Sequence, residues 1–342
     1  MSVELGLDTF GDMAVADDGT PRTGAQVLRD LVAQGVLADQ VGVDFLGVGE
    51  HHRPDFAVSA PDVVLAGLAT ATDRIRLGSA VTVLSSDDPI RVFQRFATID
   101  ALSGGRAEVI LGRGSFTESF PLFGLDLGDY ERLFSEKLDL FSRLLAEEPV
   151  SWEGTIRPPL RDQEVFPRTE AGLTAWIAVG GSPQSVVRAA GYRLPLMLAI
   201  IGGPAQRFAP FADLYRRALG ELGAEALPVG VHSPGHVAET DEQAREELYA
   251  PFKANRDRIG AERGWGPMRL EEYHSEITHG ALYVGSPETV ARKIATTVRV
   301  LGLDRFDLKY ANGPMPHSQL MRSIELYGTR VIPRVRELLA ED

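Results

Sequence analysis

The sequence contains no cysteine, which excludes disulfides, thiolate metal sites, iron–sulfur clusters and cysteine nucleophiles. It also lacks any continuous apolar stretch of the roughly 18 residues that a membrane span requires. Its opening residues, MSVELGLDTFGDM, carry neither the basic start nor the apolar core of a secretion signal and read as a first strand. Positive charge is scarce: 35 Lys and Arg face 48 Asp and Glu, giving a formal net charge of −13. Nucleic acid is a poor partner for such a chain, because neutralising phosphates demands clustered cations. These absences leave a cytoplasmic protein acting on small molecules as the expectation.

What is present is ample material for a core. The 342 residues are 44% hydrophobic, enough for one large α/β domain or two smaller ones. Short β-branched runs alternate with longer helical patterns. Eight strand candidates stand at Val3–Asp8, Phe45–Gly49, Ile75–Val81, Ala107–Leu111, Thr174–Val179, Leu196–Ile200, Leu227–Val231 and Phe306–Tyr310. Most are almost continuously apolar, as in parallel strands buried on both faces. Helical patterns lie between them, for example Gly24–Gln40, Pro61–Ala71, Ile90–Leu102 and Pro287–Leu301. Pro21 and Pro287 are placed at the heads of the first and eighth helices, where a missing N–H costs nothing.

This alternation predicts an α/β fold, a (β/α)8 TIM barrel. A doubly wound sheet is the rival, but its usual Gly-x-Gly-x-x-Gly turn after the first strand is absent. No linker or internal repeat interrupts residues 1–342, so one domain is expected. The length beyond the roughly 250 residues of an ordinary barrel falls in insertions at about 115–129, 147–172 and 233–285. The first and third are expected on the catalytic face. The third holds a polar helical piece, Asp241–Arg258, and a Gly264-Trp265-Gly266-Pro267 turn. It reads either as a lid or as a surface insertion with its own packing.

Several residues carry possible chemistry. The second strand ends in Glu50-His51-His52. Neighbours in an extended segment point to opposite faces, so the two histidines do not readily share a metal, and no second ligand cluster appears. One histidine should face the barrel mouth as a base or hydrogen-bond donor; the alternative is a buried structural group. Arg113, between Gly112 and Gly114 at the end of the fourth strand, reads as a planar fork for an anion or as a rim ion pair. Gly180-Gly181-Ser182-Pro183-Gln184-Ser185 opens the helix after the fifth strand. Its N–H groups and the hydroxyls of Ser182 and Ser185 form an anion cradle, although Ser182 could be a simple N-cap. With Arg113 beside it, this suggests a phosphate held between neighbouring loops. Ser79-Ala80-Val81-Thr82 is small and apolar, which by itself reads as core packing.

Three runs carry a resemblance: Glu50-His51-His52, the segment LGSAVTVL followed by Pro89 and Arg91, and Leu102-Ser103-x-Gly-Arg106. The chain resembles the luciferase-like family of flavin-dependent monooxygenases, nearly end to end and most strongly over Gly42–Gly124. The resemblance implies a barrel that binds FMN, or reduced FMN from a separate reductase, and oxidises a small organic substrate with O2. It implies a catalytic role for His51. It also implies phosphate contacts from Arg113, Ser182 and Ser185, a further basic contact from Arg132, and Gly181 in the cradle. The Ala80–Val81 peptide aligns with a non-proline cis bond that supports the isoalloxazine ring. Gly112 stands where light-emitting members have a reactive cysteine, and Gly181 replaces an acidic residue, so a non-luminescent branch is expected.

A homodimer through the second and third helices is a further implication, with Val63, Val64, Leu65, Phe93 and Phe96 as interface candidates; the equal alternative is that they face the strands. The alternatives are deazaflavin-dependent hydride transfer and a non-catalytic flavin-binding relative. The first would want more rim cations than Arg53, Arg113 and Arg132.

Overall fold

A computed structural model describes residues 3–114 and 116–341. Ser115, the first residue of the expected 115–129 insertion, lies outside the described residues. The chain begins β1 (Glu4–Thr9), α1 (Gly24–Gln40), β2 (Phe45–Val48), α2 (Pro61–Ala71), β3 (Arg76–Ser79), β4 (Thr82–Val83), α3 (Pro89–Ser103) and β5 (Ala107–Gly112). It continues through α4 (Ser119–Leu122), α5 (Tyr130–Leu144), a hairpin β6 (Val150–Trp152) and β7 (Leu160–Gln163), β8 (Thr174–Val179), α6 (Pro183–Gly191) and β9 (Leu196–Ala199). The last part holds α7 (Ala209–Glu221), β10 (Val229–Val237), α8 (Asp241–Arg263), α9 (Leu270–Thr278) and β11 (Tyr283–Gly285). It ends with α10 (Pro287–Leu301), β12 (Arg305–Lys309), α11 (His317–Leu326) and α12 (Ile332–Ala340).

Parallel pairing runs β1-β2-β3-β5-β8-β9 and returns through β10 and β12 to β1. The eight strands therefore close into the expected (β/α)8 barrel, with helices around it. Local signals fix the helix starts. Thr23 makes a capping box with Gln26, Asp88 caps α3 ahead of Pro89, and Ser286 caps α10 ahead of Pro287. Gly104 and Gly302 end α3 and α10 in the left-handed region that a side chain would resist.

Three sequence expectations are corrected. Pro21 does not head a helix; it bridges Val15, and Thr23 caps α1 instead. The third strand does not run through Val81, because a cis peptide between Ala80 and Val81 breaks it after Ser79. The seventh strand runs beyond Val231 to Val237, so the first five residues of the expected 233–285 insertion belong to the sheet. Its tip leaves the barrel to pair with β11, a three-residue strand too short to stand out in the sequence.

Outward faces of the strands pack on the helices through residues such as Leu5, Leu7, Leu46, Val48, Phe93 and Phe96. The interior is different. Arg305, fully buried, lies between the rings of Phe45 and Trp176, 4.4 and 4.5 Å from their centroids, and pairs with Glu108 at 2.9 Å. Glu4 and Arg76 complete this charged plug at the N-terminal end of the barrel. Room for it comes from missing side chains: a β-carbon on Gly78 would lie 2.8 Å from Phe45, and one on Gly230 would lie 2.7 Å from Met197. The plug fills the N-terminal end of the barrel and leaves the C-terminal ends of the strands as its mouth. Among the described residues, no helix is long and apolar enough to cross a membrane. Of the suggested interface residues, Leu65, Phe93 and Phe96 are buried in this chain's own core, whereas Val63 is 67% exposed.

Candidate active site

The C-terminal ends of the strands carry the groups singled out in the sequence. After the cis Ala80–Val81 peptide, the chain resumes as β4 against the end of β5. Ala80 N–H donates to the Val48 carbonyl at 2.9 Å, which ties this segment to β2. Gly49 lets the two approach, since a β-carbon there would lie 2.6 Å from the Ala80 oxygen. Ser79 Oγ exchanges hydrogen bonds of 3.2 Å with the carbonyl and N–H of Ile110 on β5. The result is a flat, small-residue wall held from both sides.

His51 stands beside this wall in an aromatic box. The rings of Phe10, Phe56 and Phe116 lie 4.8, 4.5 and 5.0 Å from it. Glu118 Oε1 approaches Nδ1 at 3.8 Å, an ion-pair distance too long for a good hydrogen bond. Burial lowers the His51 pKa from its ordinary value, and Glu118 opposes the shift without reversing it. The shift favours the neutral imidazole, the form able to accept a proton. Glu118 is itself held below the usual range, because contact with His51 and Arg53 outweighs the raising effect of burial.

Glu50 and His52 turn the other way. Glu50 Oε1 meets His52 Nε2 at 2.8 Å, and Oε2 accepts the Val83 N–H at 3.0 Å. Burial raises the Glu50 carboxyl above its ordinary value, with Val83 and His52 opposing. This pair braces the segment just past the cis peptide and lines a separate cavity of about 270 Å³ with Asp62 and Arg95. Of the two histidines, His51 faces the aromatic box, as the alternation along an extended segment requires.

The groups of the expected anion cradle meet where β5 and β8 end. Arg113 Nη2 donates to Ser185 Oγ at 3.2 Å, while its Nη1 reaches Glu131 Oε2 at 2.9 Å. Arg188, one turn after Ser185 on α6, bonds the other oxygen of the same carboxylate. Ser182 occupies the N-cap position of α6, yet its side chain makes no capping bond, so the hydroxyl is open to a ligand. Gly181 takes φ = 107°, a left-handed conformation that aims the backbone at the helix start. Two guanidinium groups, two hydroxyls and a helix N-terminus are the donors a phosphate monoester needs. Arg132 is not brought into this group; its contacts are with Asp129 at 2.7 Å and Thr155 at 3.3 Å.

Sequence reading missed Arg188, although its i+3 spacing from Ser185 places both on one face of α6. It also missed a dyad on the far side of the mouth, where His232 Nδ1 meets the buried Asp8 Oδ2 at 2.6 Å. Nothing local signals that pair, which is 224 residues apart in the chain. Phe10 lies between these halves, stacked 6.0 Å from His232 and 4.7 Å from the Lys309 ammonium.

α8 reaches across this face. Glu262 accepts from Arg53 Nη1 at 2.8 Å, Arg258 pairs with Asp55, and Arg53 lies 4.6 Å over Phe116. Between α8 and the segment after β5 is an open cavity of about 860 Å³, lined by Arg53, Phe116, Glu118, Phe120, Leu125 and Glu262. It shares Phe116 and Glu118 with the walls of the His51 box.

Comparison with known proteins places these features. The model of the luciferase-like monooxygenase family matches residues 9–305. The 4-hydroxyprotoasukamycin monooxygenase of Streptomyces nodosus subsp. asukaensis is 31% identical over 255 residues, covering 72% of this chain and 68% of that protein. The oxygenating constituent of 3,6-diketocamphane monooxygenase from Pseudomonas putida, a type II Baeyer-Villiger monooxygenase solved in complex with FMN, superposes with a TM-score of 0.78 at 17% identity. That match covers 98% of this chain and 99% of that one. The coenzyme F420-dependent tetrahydromethanopterin reductase of Methanopyrus kandleri superposes at 0.71 with 18% identity, covering 98% of this chain and all of that one (100%). At such identities the structures share the fold, and the family match over most of the sequence decides the rest: this chain belongs to the luciferase-like monooxygenase family.

Proposed function

We propose that this protein is an FMN-dependent monooxygenase that uses reduced FMN and O2 to oxidise a small organic substrate. The observation that carries this reading is the pairing of a phosphate-type cradle at Arg113, Ser182, Ser185 and Arg188 with a small, flat wall at Ala80–Val81. The two suit the charged end and the planar ring of one ligand. Gly181 supplies the turn that opens the cradle.

Bound reduced FMN would supply the two electrons that divide O2 between the product and water. The chain's own residues do the rest. The cradle holds and orients the phosphate end. Phe10, Phe56 and Phe116 keep water from His51, and the neutral His51 imidazole takes or returns a proton at Nε2, Nδ1 being turned toward Glu118. The 860 Å³ cavity beside Glu118 gives an organic substrate of ordinary size a place to enter. A separate reductase in the cytoplasm and a homodimer built around the exposed Val63 face belong to this reading.

The test is isotopic. Protein given FMN, a reducing system and a panel of aldehydes, ketones and alkenes under ¹⁸O2 should yield a product one ¹⁸O heavier by mass spectrometry. Substrate oxidation without ¹⁸O would replace oxygen transfer with hydride transfer. Failure to bind FMN would remove the cofactor assignment.

A further inference from the structure

An acidic side chain sits inside a site built for anions. Glu131, in the first turn of α5, accepts from Arg113 with one carboxylate oxygen and from Arg188 with the other, and Ser135 Oγ lies 3.4 Å from it on the same helix. The position is fixed from below: Tyr130 OH donates to the Gly114 carbonyl at 2.7 Å, and the Arg113 guanidinium lies 5.5 Å over the Tyr130 ring. The Glu131 side chain is nonetheless 55% exposed, against 31% for Arg113 and 20% for Arg188. Solvent-exposed ion pairs of this kind are weakly held, so the contact tunes the site without blocking it.

We propose that Glu131 is a resident anion that the ligand's phosphate displaces, and that this competition selects a dianionic monoester, with Arg188 as the second guanidinium of the cradle. The inference rests on the phosphate cradle of the proposed function and adds its selectivity. A carboxylate offers one negative charge and two oxygens. A phosphate monoester offers about 1.5 to 2 charges at neutral pH and three terminal oxygens, so it gains by the exchange. The phosphodiester of the deazaflavin coenzyme, and each phosphorus of the diphosphate bridge in FAD, carries one charge and two free oxygens and gains nothing over Glu131. Riboflavin has no anion to offer.

The pH dependence follows from the groups that face Glu131: Arg113 from the β5 exit, Arg188 from α6 and the Ser135 hydroxyl from α5. Burial works to raise the Glu131 carboxyl, but Arg188 and Arg113 hold it below the usual range. It therefore stays ionised while a phosphate monoester loses its second charge below a pH of about 6. FMN affinity should fall on acidification because the ligand weakens and its competitor does not.

The experiment is a set of dissociation constants for FMN, riboflavin, FAD and the deazaflavin coenzyme, by fluorescence titration at pH 7.5 and 5.5. The full-length wild type is compared with Glu131→Gln and Arg188→Gln, with folding checked by circular dichroism. Glu131→Gln should bind FMN about fivefold more tightly, leave riboflavin unchanged and, by freeing the site for singly charged phosphorus groups as well, narrow the preference for FMN over FAD and the deazaflavin coenzyme. Arg188→Gln should weaken FMN about tenfold with riboflavin unaffected. Unchanged or weaker FMN binding by Glu131→Gln would overturn the competition, and unchanged binding by Arg188→Gln would remove Arg188 from the site. If the wild type binds no FMN, the cofactor reading fails by itself. Calorimetric titration of inorganic phosphate then decides the competition: tighter binding by Glu131→Gln upholds it, and equal or weaker binding overturns it.

Discussion

Val81 fills the space that a side chain on Gly112 would occupy: a β-carbon built on Gly112 would lie 2.5 Å from Val81 Cγ2 and 3.1 Å from its Cβ. The two residues join different strands. Gly112 is the last residue of β5, immediately before Arg113, and Val81 is the second half of the cis peptide. Their contact couples the wall proposed to carry the flavin ring to the strand that delivers Arg113, the arginine of the proposed cradle. It also leaves no room for a side chain at position 112, since Val81 already takes that volume.

Gly112→Ala should therefore be costly for a single methyl. Forcing an extra carbon into a packed contact costs about 1–3 kcal/mol, and displacement of Val81 should weaken FMN binding as well. Urea denaturation and FMN titration measure the two effects. Val81→Ala in the same chain should recover part of both, because the substitutions act on one contact. Full stability in Gly112→Ala alone would mean that Val81 is free to move.

His51 should act as a neutral group. Its pKa is lowered by burial among three phenylalanine rings, so the imidazole takes up a proton only below its ordinary value of 6.5. The activity that depends on neutral His51 should survive as pH falls through 6.5 and be lost only further down. Folding follows the same sign. The unfolded chain binds this proton first, so the stability owed to His51 is complete above 6.5 and is lost as pH falls below it. An NMR titration of the His51 ring checks the position. Glu118→Gln should move it lower still, since Glu118 opposes the shift. His51→Ala should reduce substrate oxidation about 100-fold or more while sparing FMN affinity; equal turnover would remove His51 from the chemistry.

The parts of the fold that were legible in the sequence are those set by local pattern. Eight apolar runs with helices between them specify a barrel, because parallel strands buried on both faces have no polar alternation to hide. The break after Ser79 was invisible in that pattern, since Ala80 and Val81 are as apolar as a strand requires; the family resemblance supplied it. The charged plug of Arg305, Glu4, Glu108 and Arg76 was likewise hidden. Its members are far apart in the chain and meet only when the barrel closes. At the candidate site, Arg113, Ser185 and His51 stand at strand ends or helix starts, which is what singles them out in the sequence, and the structure brings Arg113 against Ser185. His232 and Asp8 needed the three-dimensional closure of strands one and seven.

Arg132 gives a direct contest between resemblance and geometry. Its guanidinium is about half exposed, at 49%, and is satisfied by Asp129 and Thr155 outside the cradle. Arg132→Gln should change FMN affinity less than about twofold and stability by about 0.5 kcal/mol or less, as for other exposed ion pairs. A tenfold loss of FMN affinity would show that Arg132 turns inward when the ligand binds.

Glu50 offers a test through folding alone. Its carboxyl is buried, with the Val83 N–H on one oxygen and His52 on the other, and burial raises its pKa above the ordinary 4.5. Removing it with Glu50→Ala leaves two buried polar groups without partners, at a cost of about 1–3 kcal/mol for each. Glu50→Gln keeps an acceptor for Val83 and a polar contact for His52, and it cannot ionise. The sign of the pH dependence separates the two effects. A raised pKa contributes stability that is present below 4.5 and is lost as pH rises through the folded value, because the unfolded carboxyl ionises first. Glu50→Gln should therefore gain on the wild type between pH 4.5 and neutrality, while Glu50→Ala stays less stable across the range. Urea midpoints at pH 4.5 and 7 measure this directly. A wild type that gained on Glu50→Gln with rising pH would mean that the hydrogen bonds to Val83 and His52 outweigh burial, and that Glu50 braces the wall as a carboxylate.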